Sequence, residues 1–235
     1  MNKKGAMGHI EIIISFVIFV SFLLFLFAVF PIIKPIKSQA GLNIAEESIT
    51  ENVSIELVSF TLALNESGIN KIGSENCFKI DYVSNSNVIV KNEAGEIINA
   101  SLENNKINIE KSGKFYTVYS AEDFIENSLN KACTDLVENQ DFTKGLKMNQ
   151  SVLSYKKILA LNISYYEDYE AVHGLFNINK NEDFGFILRE TNGQEFMSVM
   201  KSKPGKAEVL ARNVYTQMAY ENGTLKSIIL NLQIW

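Results

Sequence analysis

The sequence predicts an α+β fold, in which a long N-terminal membrane-spanning helix is followed by a mainly antiparallel β ectodomain with a few helices. The helix is predicted by an uncharged apolar run over residues 12–33. The ectodomain is predicted by short runs of alternating apolar residues that are separated by turn residues. One stretch of apolar residues at helical spacing, over residues 158–172, interrupts these runs in the second half of the chain.

The apolar run at the N-terminus has the length of a membrane span. About 22 residues rise about 33 Å as a helix, which matches the hydrocarbon core of a bilayer. A cleaved secretory signal would have an apolar core of only ~7–15 residues and a small-residue cleavage site. This run instead continues to Pro31 and is followed by Lys34 and Pro35. We therefore expect the helix to stay with the mature protein.

A basic pair and small residues precede the apolar run. Residues 3–5 are Lys-Lys-Gly, Ala6 and Met7 follow, and Glu11 stands at the threshold of the run. Over about the first 35 residues, this arrangement resembles the class III signal of archaeal type IV pilins and related pilin-like surface proteins. The resemblance implies that a prepilin peptidase cuts on the cytoplasmic side of the helix. A cut after Ala6 makes Met7 the first mature residue and Glu11 the fifth, whereas a cut after Gly5 makes Glu11 the sixth.

Glu11 has two interpretations. The resemblance implies an assembly role, in which its carboxylate offsets the free amine at the new N-terminus of a neighbouring subunit inside a helix bundle of low dielectric. The alternative is that Glu11 sits in the headgroup layer of a permanent single-pass anchor. The sequence leaves both open.

The remaining elements follow from local patterns. Residues 43–51 are good helix formers, and residues 52–64 alternate with a slip that indicates a strand with a bulge or a strand buried on both faces. The segment Ser120-Ala-Glu-Asp123 resembles a capping box that opens a short helix toward Cys133. Further strands are expected at 78–82, 88–90, 97–98, 107–109 and 115–119, with hairpins over 184–200 and 214–234. The predicted parts are 1–37 (leader and pilin-like helix), 38–51 (stalk or linker), 52–143 (first β-rich part) and 144–235 (second α+β part).

Cys77 and Cys133 are the only cysteines. No Cys-X-X-Cys motif and no neighbouring histidine point to zinc. In an exported domain such a pair predicts one disulfide. Two free buried thiols are the alternative.

Asn-X-Ser/Thr sequons predict an exported glycoprotein. Because the chain is rich in asparagine, part of the set is expected by chance. The six sequons begin at Asn52, Asn65, Asn99, Asn149, Asn162 and Asn222.

Catalytic chemistry has little support in the sequence. The net charge of −5 argues against a nucleic-acid partner. His173 is the only histidine outside the signal, and it is expected to be a solvated or C-terminal helix residue. Glu182 and Asp183 lack the loop of a calcium site. We expect no catalytic residue, no metal, no cofactor and no enzyme activity.

These observations predict an exported pilin-like surface protein with a C-terminal ectodomain outside the cell. Its N-terminal helix either assembles into a filament or remains a single-pass anchor in the cell membrane. The expected partners are the membrane, a prepilin peptidase, and identical or different subunits that pack through the helix. A membrane-anchored ligand-binding or adhesion protein is the alternative, and a membrane-tethered hydrolase is a third.

Overall fold

A computed structural model of the chain describes residues 4–29, 39–84, 86–125, 127–129, 131–202 and 208–235. The chain divides into two compact units, Met1–Gln39 and Ala40–Trp235. Within the described residues, fourteen strands accompany five helices, so the fold is mostly β. The predicted α+β class with a membrane-spanning helix is therefore wrong. The reason is that strands paired into two sheets account for most of the second unit, and no described helix is long and apolar enough to cross a membrane.

The first unit contains helix α1, Lys4–Val29. Its side chains are described for residues 13–25. Among the described residues, no helix combines the length and the apolar character needed to cross a bilayer. This finding contradicts the predicted membrane-spanning helix and the predicted single-pass location at a cell membrane. Residues 30–33 of the predicted span, and Pro35, lie outside the described residues.

The second unit is built on strands that run from one end of its sequence to the other. In chain order they are β1 Ser54–Leu64, β2 Cys77–Asp81, β3 Asn87–Asn92, β4 Ile97–Ile98, β5 Ala100–Glu103, β6 Lys106–Glu110, β7 Phe115–Ala121, β8 Thr134–Asp135, β9 Phe142–Lys144, β10 Met148–Ser154, β11 Phe184–Glu190, β12 Glu195–Met200, β13 Leu210–Ala219 and β14 Leu225–Ile234.

One ten-stranded sheet contains most of these strands. Its order is β12-β11-β14-β13-β10-β1-β7-β3-β4, and β9 pairs with β1 beside the end of β10. Neighbours are antiparallel except β10 and β13, which are joined in parallel at Leu153↔Met218 and Ser154↔Ala219. Residues on both sides of the predicted boundary at 143/144 thus contribute to one sheet.

Strand β1 explains the slip in the alternation of residues 52–64. Its pairing with β7 and β10 runs in continuous register, without a bulge. The N-terminal half buries Ile55 and Leu57 on one face, and the C-terminal half buries Phe60, Leu62 and Leu64 on the other. Of the two interpretations offered by the sequence, burial on both faces is therefore confirmed.

A four-stranded sheet, ordered β5-β6-β2-β8, shares a hydrophobic core with the second of these faces. Phe78 of β2 and Tyr116 of β7 meet there edge to face, with ring centroids 5.3 Å apart. Helix α3, Glu66–Ile72, contributes Ile72 to the same core. The four-stranded sheet therefore covers one side of β1 and β7, which belong to the ten-stranded sheet.

Helices cover the other end of the large sheet. α2 (Gln39–Val53), α4 (Tyr155–Glu167) and α5 (Tyr169–Leu175) pack over β11 to β14. The apolar positions predicted at helical spacing are all buried, but Asp168 separates them into two helices because its side chain caps α5 by accepting from the Ala171 amide. These positions are Ile158, Leu161, Tyr165, Tyr169 and Val172.

The two predicted hairpins are confirmed, with Gly193 and Gly223 at positive φ in their turns. The predicted helix after Ser120 is wrong for the described residues of that segment. Ser120 is buried within β7, where its hydroxyl donates to the Ser86 carbonyl, and Asp123 accepts a hydrogen bond from Ser154, the residue that caps α4. Both capping side chains therefore have other partners.

Candidate functional site

A disulfide joins Cys77 and Cys133, with their Cα atoms 4.9 Å apart. Cys77 opens β2, and Cys133 directly precedes β8, which pairs in parallel with β2 at Phe78↔Thr134. The bond therefore fixes a two-residue edge strand to its neighbour. The predicted pairing is confirmed.

The predicted processing residues Gly5, Ala6 and Met7 and the predicted assembly residue Glu11 lie in α1. Their backbone is helical, and their side chains lie outside the described part of the structure. Their roles stay predictions.

The six sequons occupy different environments. Asn52, Asn99, Asn149 and Asn222 are exposed, whereas Asn65 and Asn162 are half-buried. The Asn65 side chain caps α3 by accepting from the Gly68 amide at 3.0 Å, and it donates to the Gln140 carbonyl at 2.7 Å. Its amide nitrogen, the atom that would carry a glycan, is therefore engaged within the fold.

We expect glycan occupancy to follow this difference. In protein purified from its natural host, Asn149 should carry a glycan and Asn65 should not, because modification of Asn65 would break the hydrogen bond to Gln140. Mass spectrometry of glycopeptides measures both sites in one sample. Full occupancy at Asn65 would contradict the expectation.

An aromatic cluster surrounds the only histidine outside the predicted signal. His173 is 7% exposed and lies in the last turn of α5, where its Nε2 is 2.7 Å from the Glu182 carbonyl oxygen. The expectation of a solvated histidine is therefore wrong, because the neighbouring rings of Tyr169 and Phe184 enclose it. Its position at a helix C-terminus is as expected.

The tyrosines of this cluster are held by hydrogen bonds. The Tyr165 hydroxyl donates to the Phe184 carbonyl at 2.5 Å, and the Tyr169 hydroxyl donates to Asp183 at 2.8 Å. Burial raises the pKa of Tyr165 to about 12, and burial together with the Asp183 hydrogen bond raises the pKa of Tyr169. Both hydroxyls therefore stay protonated at neutral pH. The arrangement stabilises the fold and does not create a base or a nucleophile.

Within the described residues, the carboxylates near this cluster do not group into a metal site. Glu167 of α4, Asp168 between the two helices and Glu170 of α5 are exposed, and Glu182 and Asp183 precede β11. Among the described residues, no group of three or more His, Cys, Asp or Glu side chains could hold a metal ion.

An open face of the large sheet forms a second candidate site, which we call the aromatic face. It is formed by Phe115, Thr117 and Tyr119 of β7 with Thr61 of β1 and Lys91 of β3, and it lines a cavity of about 520 Å³. Thr117 lies opposite Thr61 on one side and Lys91 on the other. The alternate residues of β7 point into the core.

The sequence predicted this strand but not the role of its outer face. Residues 115–119 alternate, and either set could have been assigned to the core. The missed signal is that both sets are rich in aromatic residues, so a strand with one solvent-exposed face presents aromatic rings there. Comparison with known protein families, with curated proteins and with solved structures finds no match to this chain.

Proposed function

We propose that this protein is an exported, pilin-like structural subunit that assembles through its N-terminal helix and displays its disulfide-bonded β unit. The observation that carries the proposal is the surface of α1. Phe16, Val17, Ile18 and Phe19 are each more than half exposed. Successive helix residues point about 100° apart, so these four side chains surround the helix with apolar surface.

A helix that is apolar on all sides needs apolar neighbours on all sides. Copies of the same helix provide such neighbours, because repeated head-to-tail contacts between identical subunits build an open helical assembly. In this proposal Glu11 offsets the amine of an adjacent subunit after a prepilin peptidase has cut beside Gly5 or Ala6.

The disulfide supports export. Disulfides form and persist in oxidising compartments and are rare in the cytosol of most organisms. The bond between Cys77 and Cys133 therefore supports folding of the second unit in a compartment where thiols oxidise.

We expect charged substitutions in α1 to abolish assembly. The double substitution Phe16→Asp and Phe19→Asp places two carboxylates on one stripe of the helix, and burial of unpaired carboxylates between helices is costly. The fraction of protein that sediments as high-mass assemblies should fall at least tenfold relative to the wild type. Ultracentrifugation and negative-stain microscopy measure this fraction.

Leu146→Asp is the matched control, because Leu146 is apolar, 90% exposed and placed in the second unit. It should leave assembly unchanged. Glu11→Gln should leave processing unchanged and reduce assembly, which separates the role of the charge from the role of the apolar surface. Normal assembly of both α1 variants would rule out the proposed function.

A further inference from the structure

We infer that the aromatic face binds a linear chain of hexoses. This inference is independent of assembly through α1, since all its residues belong to the second unit. It assigns to the displayed unit a recognition site for polysaccharide.

The two rings of β7 provide the stacking surfaces. Phe115 is 56% exposed, and Tyr119, on the same side of the strand, packs against the core that contains Ile89 while part of its side chain stays exposed. Four residues of a strand cover about 14 Å, which about three successive pyranose rings can bridge. The C–H face of a pyranose packs against an aromatic ring, whose negatively polarised face attracts such hydrogens. The first and third sugars would therefore contact the rings of Phe115 and Tyr119.

Polar groups lie between and beside the two rings. The Thr117 side chain stands midway along β7, and its cross-strand neighbours are Thr61 and Lys91. The Lys91 ammonium lies over the Tyr119 ring, 5.2 Å from its centroid, so a sugar at that ring meets the ammonium as well as the aromatic surface. Hydroxyl and ammonium groups in these positions can donate to sugar hydroxyls, which gives the few convergent polar contacts that a ligand site needs.

The two ends of the aromatic face differ, so a bound chain could enter from only one of them. At the Tyr119 end, the turn of the β13–β14 hairpin packs so closely that a Cβ added to Gly223 would lie 2.6 Å from Ile89, the residue opposite Tyr119. That end is closed. At the Phe115 end, Glu93 lines the cavity and can accept hydrogen bonds from sugar hydroxyls. A hexose chain would therefore enter from the Phe115 end and stop at the hairpin.

The charged residues that line the cavity argue against a nucleic acid as the ligand. Lys91, Lys144 and Glu93 line the cavity, so a carboxylate lies among its lysines, which does not suit the closely spaced phosphates of a nucleic acid. A hydroxyl-rich chain uses both kinds of charged group as hydrogen-bonding partners.

The test uses the full-length chain and isothermal titration calorimetry. The probes are cellohexaose and maltohexaose as neutral chains, a galacturonate hexamer as an acidic chain, and cellobiose as a chain too short to reach both rings. At least one hexamer should bind, and cellobiose should bind at least tenfold more weakly. Phe115→Ala should reduce the affinity for that hexamer at least tenfold without changing the thermal unfolding midpoint, since the ring is largely exposed.

Tyr215→Ala is the matched control, because Tyr215 is a 74% exposed aromatic residue on β13. It should not change hexamer binding. A second variant, Thr117→Val, keeps the shape of the side chain and removes its hydroxyl, so it should weaken binding while the unfolding transition stays the same. If none of the three hexamers binds, or if Phe115→Ala binds as the wild type does, the inference is overturned.

Discussion

Replacing both Cys77 and Cys133 with alanine is expected to lower the free energy of unfolding by about 4 kcal/mol. The bond closes a loop between residues 56 positions apart, and its loss gives the unfolded chain the conformational freedom of that loop. It also releases β8, a strand of two residues that pairs only at Phe78↔Thr134 and Lys79↔Asp135. Urea unfolding of the oxidised wild type and of the double variant measures the difference.

The wild type in excess dithiothreitol provides the control for side-chain size. It should unfold at a urea concentration close to that of the double variant, because both lack the same covalent bond. A double variant that is as stable as the oxidised wild type would show that the loop is already held by its noncovalent contacts.

The second large effect is expected at Asp141, a buried carboxylate in the loop before β9. It accepts hydrogen bonds from the Lys71 ammonium at 2.8 Å, the Val137 amide at 2.9 Å and the Ser67 hydroxyl at 3.0 Å. Asp141→Ala removes the carboxylate that accepts these three hydrogen bonds, so the three donors lose their acceptor. We expect a loss of about 3 kcal/mol at pH 7, since a hydrogen bond to a charged group contributes about 1.5–3 kcal/mol.

The same group makes stability depend on pH. The hydrogen bond from Lys71, followed by the one from the Val137 amide, holds the pKa of Asp141 below its usual value. A carboxyl with a depressed folded-state pKa contributes stability above the pKa of the unfolded chain and loses it as the pH falls. The difference between the wild type and Asp141→Asn should therefore be largest near neutral pH and should shrink as the pH falls below about 4.

Asp135→Asn is the control for this pH effect. The pKa of Asp135 is also lowered, mainly by its hydrogen bond from Lys106, but its side chain is 56% exposed. Solvent screens exposed ion pairs, so this variant should lose less stability than Asp141→Asn. Equal losses in the two variants, or a gap for Asp141→Asn that grows in acid, would contradict the role assigned to Asp141.

The sequence by itself determined the elements whose signals are local. The Asn-Gly pairs at 192–193 and 222–223 located both hairpin turns, since the glycine of each pair readily adopts the positive φ that the turn requires. The apolar residues from Ile158 to Val172 gave the buried face of two helices correctly. The even count of cysteines indicated the disulfide. Each of these signals depends only on residues a few positions apart or on composition.

Only the tertiary structure decided how these elements combine. The alternation of β1 did not reveal that its two halves face different cores, because burial depends on what the second sheet and the hairpin tip place over each half. Asp168 divides the predicted helical stretch in two, and the helix predicted after Ser120 is not found in the described residues. Both outcomes depend on hydrogen bonds that these side chains form in the folded chain. Asp141 could not be recognised as a buried charge, since its ammonium partner is 70 residues away.

The N-terminal region shows the same division. Its basic pair, small residues and Glu11 form a local pattern that the sequence presents completely, whereas the membrane span inferred from the run after it is contradicted by the described helices.

The outer face of β7 is the opposite case, because alternation allowed either set of its residues to face a core. The core formed with the four-stranded sheet buries Tyr116 and Val118 and leaves Phe115 exposed. Alternation records that a strand has two different faces, but long-range contacts decide which face is covered.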